Sequence, residues 1–120
     1  DALTDRPERF FVNEIIREKI LLNYDKEIPY AVEVMVEEFK EEENIIRISA
    51  VVFCERDSQK GIIIGKQGKA LKETAGFARE GMQKFLNAKV FLEVYVKVKE
   101  DWLNNDSLIH KATKPWDTRG

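Results

Sequence analysis

The chain is short of the residues that most enzyme chemistry needs. It has one cysteine, Cys54, and one histidine, His110, which excludes disulfides, cysteine-based metal sites and most catalytic triads. Cys54 lies inside an apolar run and reads as a buried, inert thiol in a reducing compartment. His110 lies among polar residues and reads as surface. No apolar run approaches the ~20 residues that cross a bilayer, and no basic-then-apolar leader opens the chain. The first residue is Asp1 rather than methionine, so a piece of a longer protein is expected. An excess of one charge is missing too. The formal net charge of −2 is too small to advertise a nucleic-acid partner by its sum.

What is present is a globular balance. The 120 residues are 43% apolar and 35% charged, enough for one domain around one core. The charge is also segregated. From Glu33 to Glu43 six glutamates face Lys40 alone, a local −5, whereas from Arg56 to Lys89 eight Lys or Arg oppose Asp57, Glu73 and Glu80, a local +5. A fold that gathers the second segment on one side presents a basic patch despite an acidic pI. Ordinary solvated faces would give the same counts.

The patterning gives the element order. Asp5 with Glu8 forms a capping signal, and Pro7 suits a first helical turn. Phe11, Ile15 and Leu22 then recur at helical spacing beside Val12, Ile16 and Ile20. Asn23 to Pro29 closes this helix, Pro29 driving Ile28 out of helical geometry. From Tyr30 the period becomes two, with Val32, Val34 and Val36 alternating with Glu33, Met35 and Glu37. Lys40 to Asn44 reads as a hairpin tip. The return strand, residues 45–55, places Ile46, Ile48, Ala50, Val52 and Cys54 on one face. Its other face carries Val51 and Phe53, more apolar than water favours, so cover from a neighbour or the parent protein is expected there. Ser58 is positioned to cap a short helix over Gln59 to Ile64.

A second, long helix is expected from Gln67 to about Leu86. Its buried stripe is Leu71, Ala75, Ala78, Met82 and Phe85, with Lys69, Lys72 and Arg79 on another side around Gly76. A mid-helix glycine costs about 1 kcal/mol, so Gly76 implies either close packing or close approach from outside. A last strand carries Val90, Leu92, Val94, Val96 and Val98 inward. The helical crossover lets it run parallel to its predecessor. The whole reads as an α+β fold, α-β-β-α-α-β, with helices on one face of a three-stranded sheet.

Between the short and long helices lies Ile62-Ile63-Ile64-Gly65-Lys66-Gln67-Gly68-Lys69. Paired glycines let a bulky partner reach the backbone, and the helix start behind them attracts phosphate. A P-loop is excluded, because three residues rather than four separate Gly61 from Gly65 and Gln67 stands where a magnesium-binding hydroxyl belongs. The dinucleotide fingerprint fails for want of a third glycine in the tight turn. The glutamates are explained by a solvated strand edge that discourages aggregation.

Ile64-Gly65-Lys66-Gln67-Gly68 in this element order resembles the type II KH fold. Arg6-Pro7-Glu8-Arg9-Phe10, Ile16-Arg17-Glu18-Lys19-Ile20, Glu27-Ile28-Pro29-Tyr30, Ser58-Gln59-Lys60 and Val96-Lys97-Val98 followed by Trp102 narrow the resemblance to the C-terminal domain of the Era family of ribosome-assembly GTPases. The resemblance implies a KH domain over residues 1–103 and a partly disordered tail over 104–120, where the sequence departs from the family. It implies binding of single-stranded RNA near the 3′ end of small-subunit ribosomal RNA, without enzymatic activity in this chain. GTP and magnesium are expected only in an N-terminal GTPase domain of the parent, itself a partner. Carried over, Gly65, Lys66, Gln67 and Gly68 clamp the sugar-phosphate backbone, while Ile62, Ile63 and Ile64 support the loop and floor an apolar groove. Arg56, Lys60, Lys69, Lys72 and Arg79 attract the strand from further away. The implied location is the bacterial cytoplasm. Peripheral contact of the parent with the inner membrane, or an organelle form, stays open. The alternative use of such a fold is protein docking, with Phe53 and Tyr95 in the contact.

Overall fold

The computed structural model describes residues 2–25 and 27–99, with side chains from Pro7 onward. Helix α1 (Ala2–Asn23) leads through a single helical turn, α2 (Glu27–Tyr30), into the strands β1 (Glu33–Glu41) and β2 (Ile46–Cys54). Helix α3 (Asp57–Ile64), a 3-10 turn (Lys66–Gly68), helix α4 (Lys69–Leu86) and strand β3 (Val90–Val98) complete it. The sheet order is β1-β2-β3, with β1 antiparallel and β3 parallel to β2. This is the α+β, type II KH-like arrangement that the pattern predicts.

The core lies between the sheet and α1 and α4. Val12, Ile16 and Ile20 from α1, Ile48, Ala50, Val52 and Cys54 from β2, and Ala78 and Met82 from α4 meet there. A full burial of such a side chain contributes roughly 1.5–3 kcal/mol. α1 and α4 approach closely at Gly81, where a Cβ would stand 3.2 Å from Ile15 Cγ2.

Several expectations are corrected. α1 begins at Ala2, and Pro7 lies inside it rather than at its opening; near a helix start a proline forfeits one backbone bond and leaves the later turns intact. Its core row is Val12, Ile16 and Ile20, spaced by four, whereas Phe11 and Leu22 are exposed. Phe85 likewise leaves the core and meets the Phe11 ring at 5.0 Å on the outside. Ile28 is helical despite Pro29: its N–H donates to Asp25 O, its carbonyl accepts from Ala31, and its side chain is buried. Burial there overrides the local bias of a residue before proline. β1 extends to Glu41, and a bulge between Val36 and Glu38 resets its register. The hairpin tip therefore starts later, closed by the Glu42 N–H on Ile45 O at 2.9 Å. Val51 and Phe53, on the face away from α1 and α4, are nonetheless buried; Met35 and Tyr95 flank the first, Glu33 and Lys97 the second. The expectations for Trp102, His110 and the 104–120 tail lie outside the described residues.

Candidate nucleic-acid interface

α3 delivers the chain to the glycine loop. Its start is satisfied internally, but not by Ser58. The Gln59 side chain turns back and its Oε1 accepts from the N–H groups of Glu55 at 2.8 Å and Arg56 at 3.0 Å. Gln59 is buried in doing so. Asp57 adds an acidic group to the first turn, favourable against the helix dipole. Of the three isoleucines that follow, Ile63 is buried, Ile64 is half-buried against the core and Ile62 is 55% exposed. Ile63 thus anchors the loop from beneath, and only Ile62 offers a substantial apolar surface.

Gly65 adopts φ 79° and ψ 177°, a region that is essentially glycine-only. A Cβ there would also stand 2.6 Å from Ala70 Cβ and 2.9 Å from Ala70 N, so conformation and space both demand glycine. Gln67 and Gly68 follow with φ 57° and 77°. The Gly68 N–H returns to Gly65 O at 3.1 Å, closing the turn. Lys66 and Gln67 stand exposed at its tip.

α4 starts immediately behind, and its start is bare. Gly68 occupies the N-cap without a side chain, no side chain bonds the opening amides, and the first turn holds no acid. An 18-residue helix of this kind presents partial positive charge and polar N–H groups at its mouth. Lys66, Lys69 and Lys72 form no ion pair among the described residues.

The structure brings Lys66, Gln67, Gly68 and Lys69 together at this turn, with Lys72 one helical turn further on. Lys60 and Arg56 lie on α3 and just before it. Arg79 does not join them. It sits about 15 Å along α4 from Lys69, and its Nε donates to the Val90 carbonyl at 2.9 Å, tethering the start of β3. Gly76 is not explained by packing, since a Cβ there would meet nothing within 4 Å.

Two features escape sequence reasoning. The first lies beneath the loop, where the Tyr24 hydroxyl donates to Ile63 O at 2.6 Å and stands 3.3 Å from Thr74 Oγ1. Thr74 Oγ1 lies 2.9 Å from Ala70 O and accepts from Asn23 Nδ2 at 3.4 Å. This chain of polar groups ties the end of α1 to both helices that flank the loop. Burial, the main cause, raises the Tyr24 pKa above its ordinary 10.0; the Thr74 contact lowers it and Glu73 raises it less. The only signal in the sequence is a lone threonine in the apolar stripe of α4. The second is a concavity of about 500 Å³ beside α3, lined by Ile62, Arg56 and the exposed Tyr30 among others. It needs α2 to exist. Cys54 is buried as expected, and burial pushes its thiol pKa up.

No described helix is long and apolar enough to cross a membrane. Residues 27–103 match the family model of the KH domain. The GTPase Era of Ruminiclostridium cellulolyticum is 51% identical over 110 residues, covering 91% of this chain and 37% of that protein. GTPase Era of Syntrophus aciditrophicus is 51% identical over 113 residues, with 92% and 37% covered. Among solved structures, an Aquifex aeolicus Era variant bound to GDP and AlF4- superposes with a TM-score of 0.73 at 33% identity, over 85% of this chain and 35% of that one. Era in complex with MgGDPNP and nucleotides 1506–1542 of 16S ribosomal RNA matches with the same figures. The chain spans little more than a third of the length of these relatives. It belongs to the KH-domain family and, within it, to the KH domain of Era-type GTPases.

Proposed function

We propose that residues 1–103 form a single-stranded RNA-binding module in which the turn Gly65-Lys66-Gln67-Gly68 grips the sugar-phosphate backbone. The observation that carries this is the uncapped, acid-free start of α4 behind a turn in which Gly65 takes a glycine-only conformation and Gly68 leaves open space beside the backbone. Phosphate oxygens would take the bare amides and the Lys66 ammonium. Lys69, Lys72, Lys60 and Arg56 would raise the local concentration of RNA. Phosphate contacts of this kind position a strand, and base contacts specify it. The bases would lie over Ile62 and towards Tyr30, whose open ring suits stacking. Arg79, on α4, drops out of this set because its Nε is held by the Val90 carbonyl at the start of β3.

The ligand is small-subunit ribosomal RNA near its 3′ end, bound during ribosome assembly. Support comes from the relative solved with a 16S fragment. GTP hydrolysis, with its nucleotide and magnesium, belongs to a GTPase domain outside residues 1–120, and the setting is the bacterial cytoplasm. Of the two residues named for the docking alternative, Phe53 is only 5% exposed, whereas Tyr95 is 48% exposed.

Replacing Lys66 and Gln67 together by aspartate should leave the fold intact and abolish binding to a short single strand. Both side chains are exposed. For the native chain, engagement of three or four phosphates gives a log–log salt slope of about −2 to −3, at roughly −0.7 per phosphate. Unchanged affinity in the variant, or a flat salt response, contradicts the clamp.

A further inference from the structure

The glycine turn supplies little of its own rigidity. Gly65, Gln67 and Gly68 all have positive φ, and the backbone bond within the turn runs from the Gly68 N–H to Gly65 O. The direction in which its amides point is therefore set by the end of α3 and the start of α4.

Both are held from beneath by the end of α1. A helix leaves its last four carbonyls without partners inside it. In α3 the Gly61 carbonyl takes the Gly65 N–H at 2.8 Å, and the Ile63 carbonyl, two residues before Gly65, takes the Tyr24 hydroxyl at 2.6 Å. The Tyr24 oxygen also stands 3.3 Å from Thr74 Oγ1 on α4. Thr74 is only 4% exposed, accepts from Asn23 Nδ2, and lies 2.9 Å from Ala70 O one turn back. Ala70 is the residue against which Gly65 is pressed, with room for no Cβ between them. The tyrosine's single proton is committed to Ile63, so its oxygen is left to accept from Thr74. Around the ring, Ile16, Ile20, Ile63 and Leu71 leave a void of about 10 Å³, barely the size of one water.

We propose that Tyr24 is a positioning residue for RNA binding. Its hydroxyl, backed by Thr74 and Asn23, presets the spacing of α3 and α4 and with it the direction of the amides over residues 65–68. The inference rests on the phosphate clamp proposed above and names what prepares it. A loop already in its binding geometry is spared the ordering cost of a loose one. Tyr24 acts through Ile63 and Thr74 and not on the ligand.

The test is equilibrium binding of the full-length protein to a short, fluorescently labelled single strand of RNA, at a temperature where circular dichroism shows every variant folded. Tyr24→Phe and Thr74→Val should each bind about three- to tenfold more weakly, with the salt slope of the native protein, because the same phosphates are engaged. Thr74→Ser keeps the hydroxyl and should recover most of the affinity lost in Thr74→Val. Ile46→Val, a core truncation at the end of β2 remote from α3, should lower stability and leave affinity unchanged, separating positioning from general loosening. Native affinity in both Tyr24→Phe and Thr74→Val, equal weakening in Ile46→Val, or a shallower salt slope in Tyr24→Phe would overturn the proposal. The double aspartate variant at Lys66 and Gln67 tells the two readings apart. If it loses binding while Tyr24→Phe keeps it, the clamp stands and the positioning role falls; if it binds as the native protein does, the clamp itself falls.

Discussion

Helices α3 and α4 flank one loop and begin in opposite ways. α3 starts with an acid and with a buried glutamine that satisfies two backbone amides. α4 starts on a glycine with no cap, no acid and two lysines within its first four residues. Intrinsic stability favours the first design, since caps and dipole-matched charges each contribute up to about 1 kcal/mol. The second design leaves that stabilisation unused and keeps an anion site open. A helix start that forgoes its own cap is therefore the more informative of the two about what the molecule binds.

The largest effect is expected from closing the turn between the two helices. Gly65→Val meets both the glycine-only backbone and the Ala70 contact, and should destabilise the chain by about 2–5 kcal/mol in thermal unfolding, with RNA binding lost. Erasing the difference from the α3 side comes next. Gln59→Leu strands the Glu55 and Arg56 amides and should cost about 1–3 kcal/mol by denaturant titration, with faster hydrogen exchange at both positions.

Loosening the tie beneath the loop should cost less. Tyr24→Phe removes the hydroxyl from Ile63 O, a loss of about 1 kcal/mol. It also carries a pH signature. Burial holds the Tyr24 pKa above 10.0 in the fold, so its contribution is complete below the unfolded value of 10.0 and is lost as pH rises through the folded one. Native stability should fall above pH 10, and the phenylalanine variant should lack that component. The smallest change sharpens the contrast by giving α4 what α3 has. Lys69→Glu places an acid in the first turn and should stabilise the fold by about 0.3–1 kcal/mol while lowering RNA affinity. Gains in both properties would mean that the bare start is an accident.

Much of this was legible in residue patterns because it depends on local chemistry. The period-two runs of β1 to β3, the glycine pair and the parallel crossover all announce themselves in one dimension. The capping of α3 escapes the sequence because Ser58 offers a conventional signal, whereas Gln59 acts by folding back over a strand end that only exists in three dimensions. Helical spacing places Phe11 and Phe85 inward, yet where α1 and α4 pack together around Gly81 both rings lie outside, against each other. Arg79 shares a charge and a helix face with Lys69 and Lys72, but the start of β3 claims its guanidinium. The link from Tyr24 to Ile63 joins residues 39 apart in sequence, beyond the reach of any periodicity.

The central claim is that the uncapped start of α4 receives phosphate. A ¹⁵N amide titration of the protein with a short single-stranded RNA tests it most directly. The account predicts that the largest shifts fall on Gly65 to Leu71 and diminish as salt is raised. Saturable RNA binding that leaves those amides unmoved, with the shifts gathered elsewhere, would contradict it.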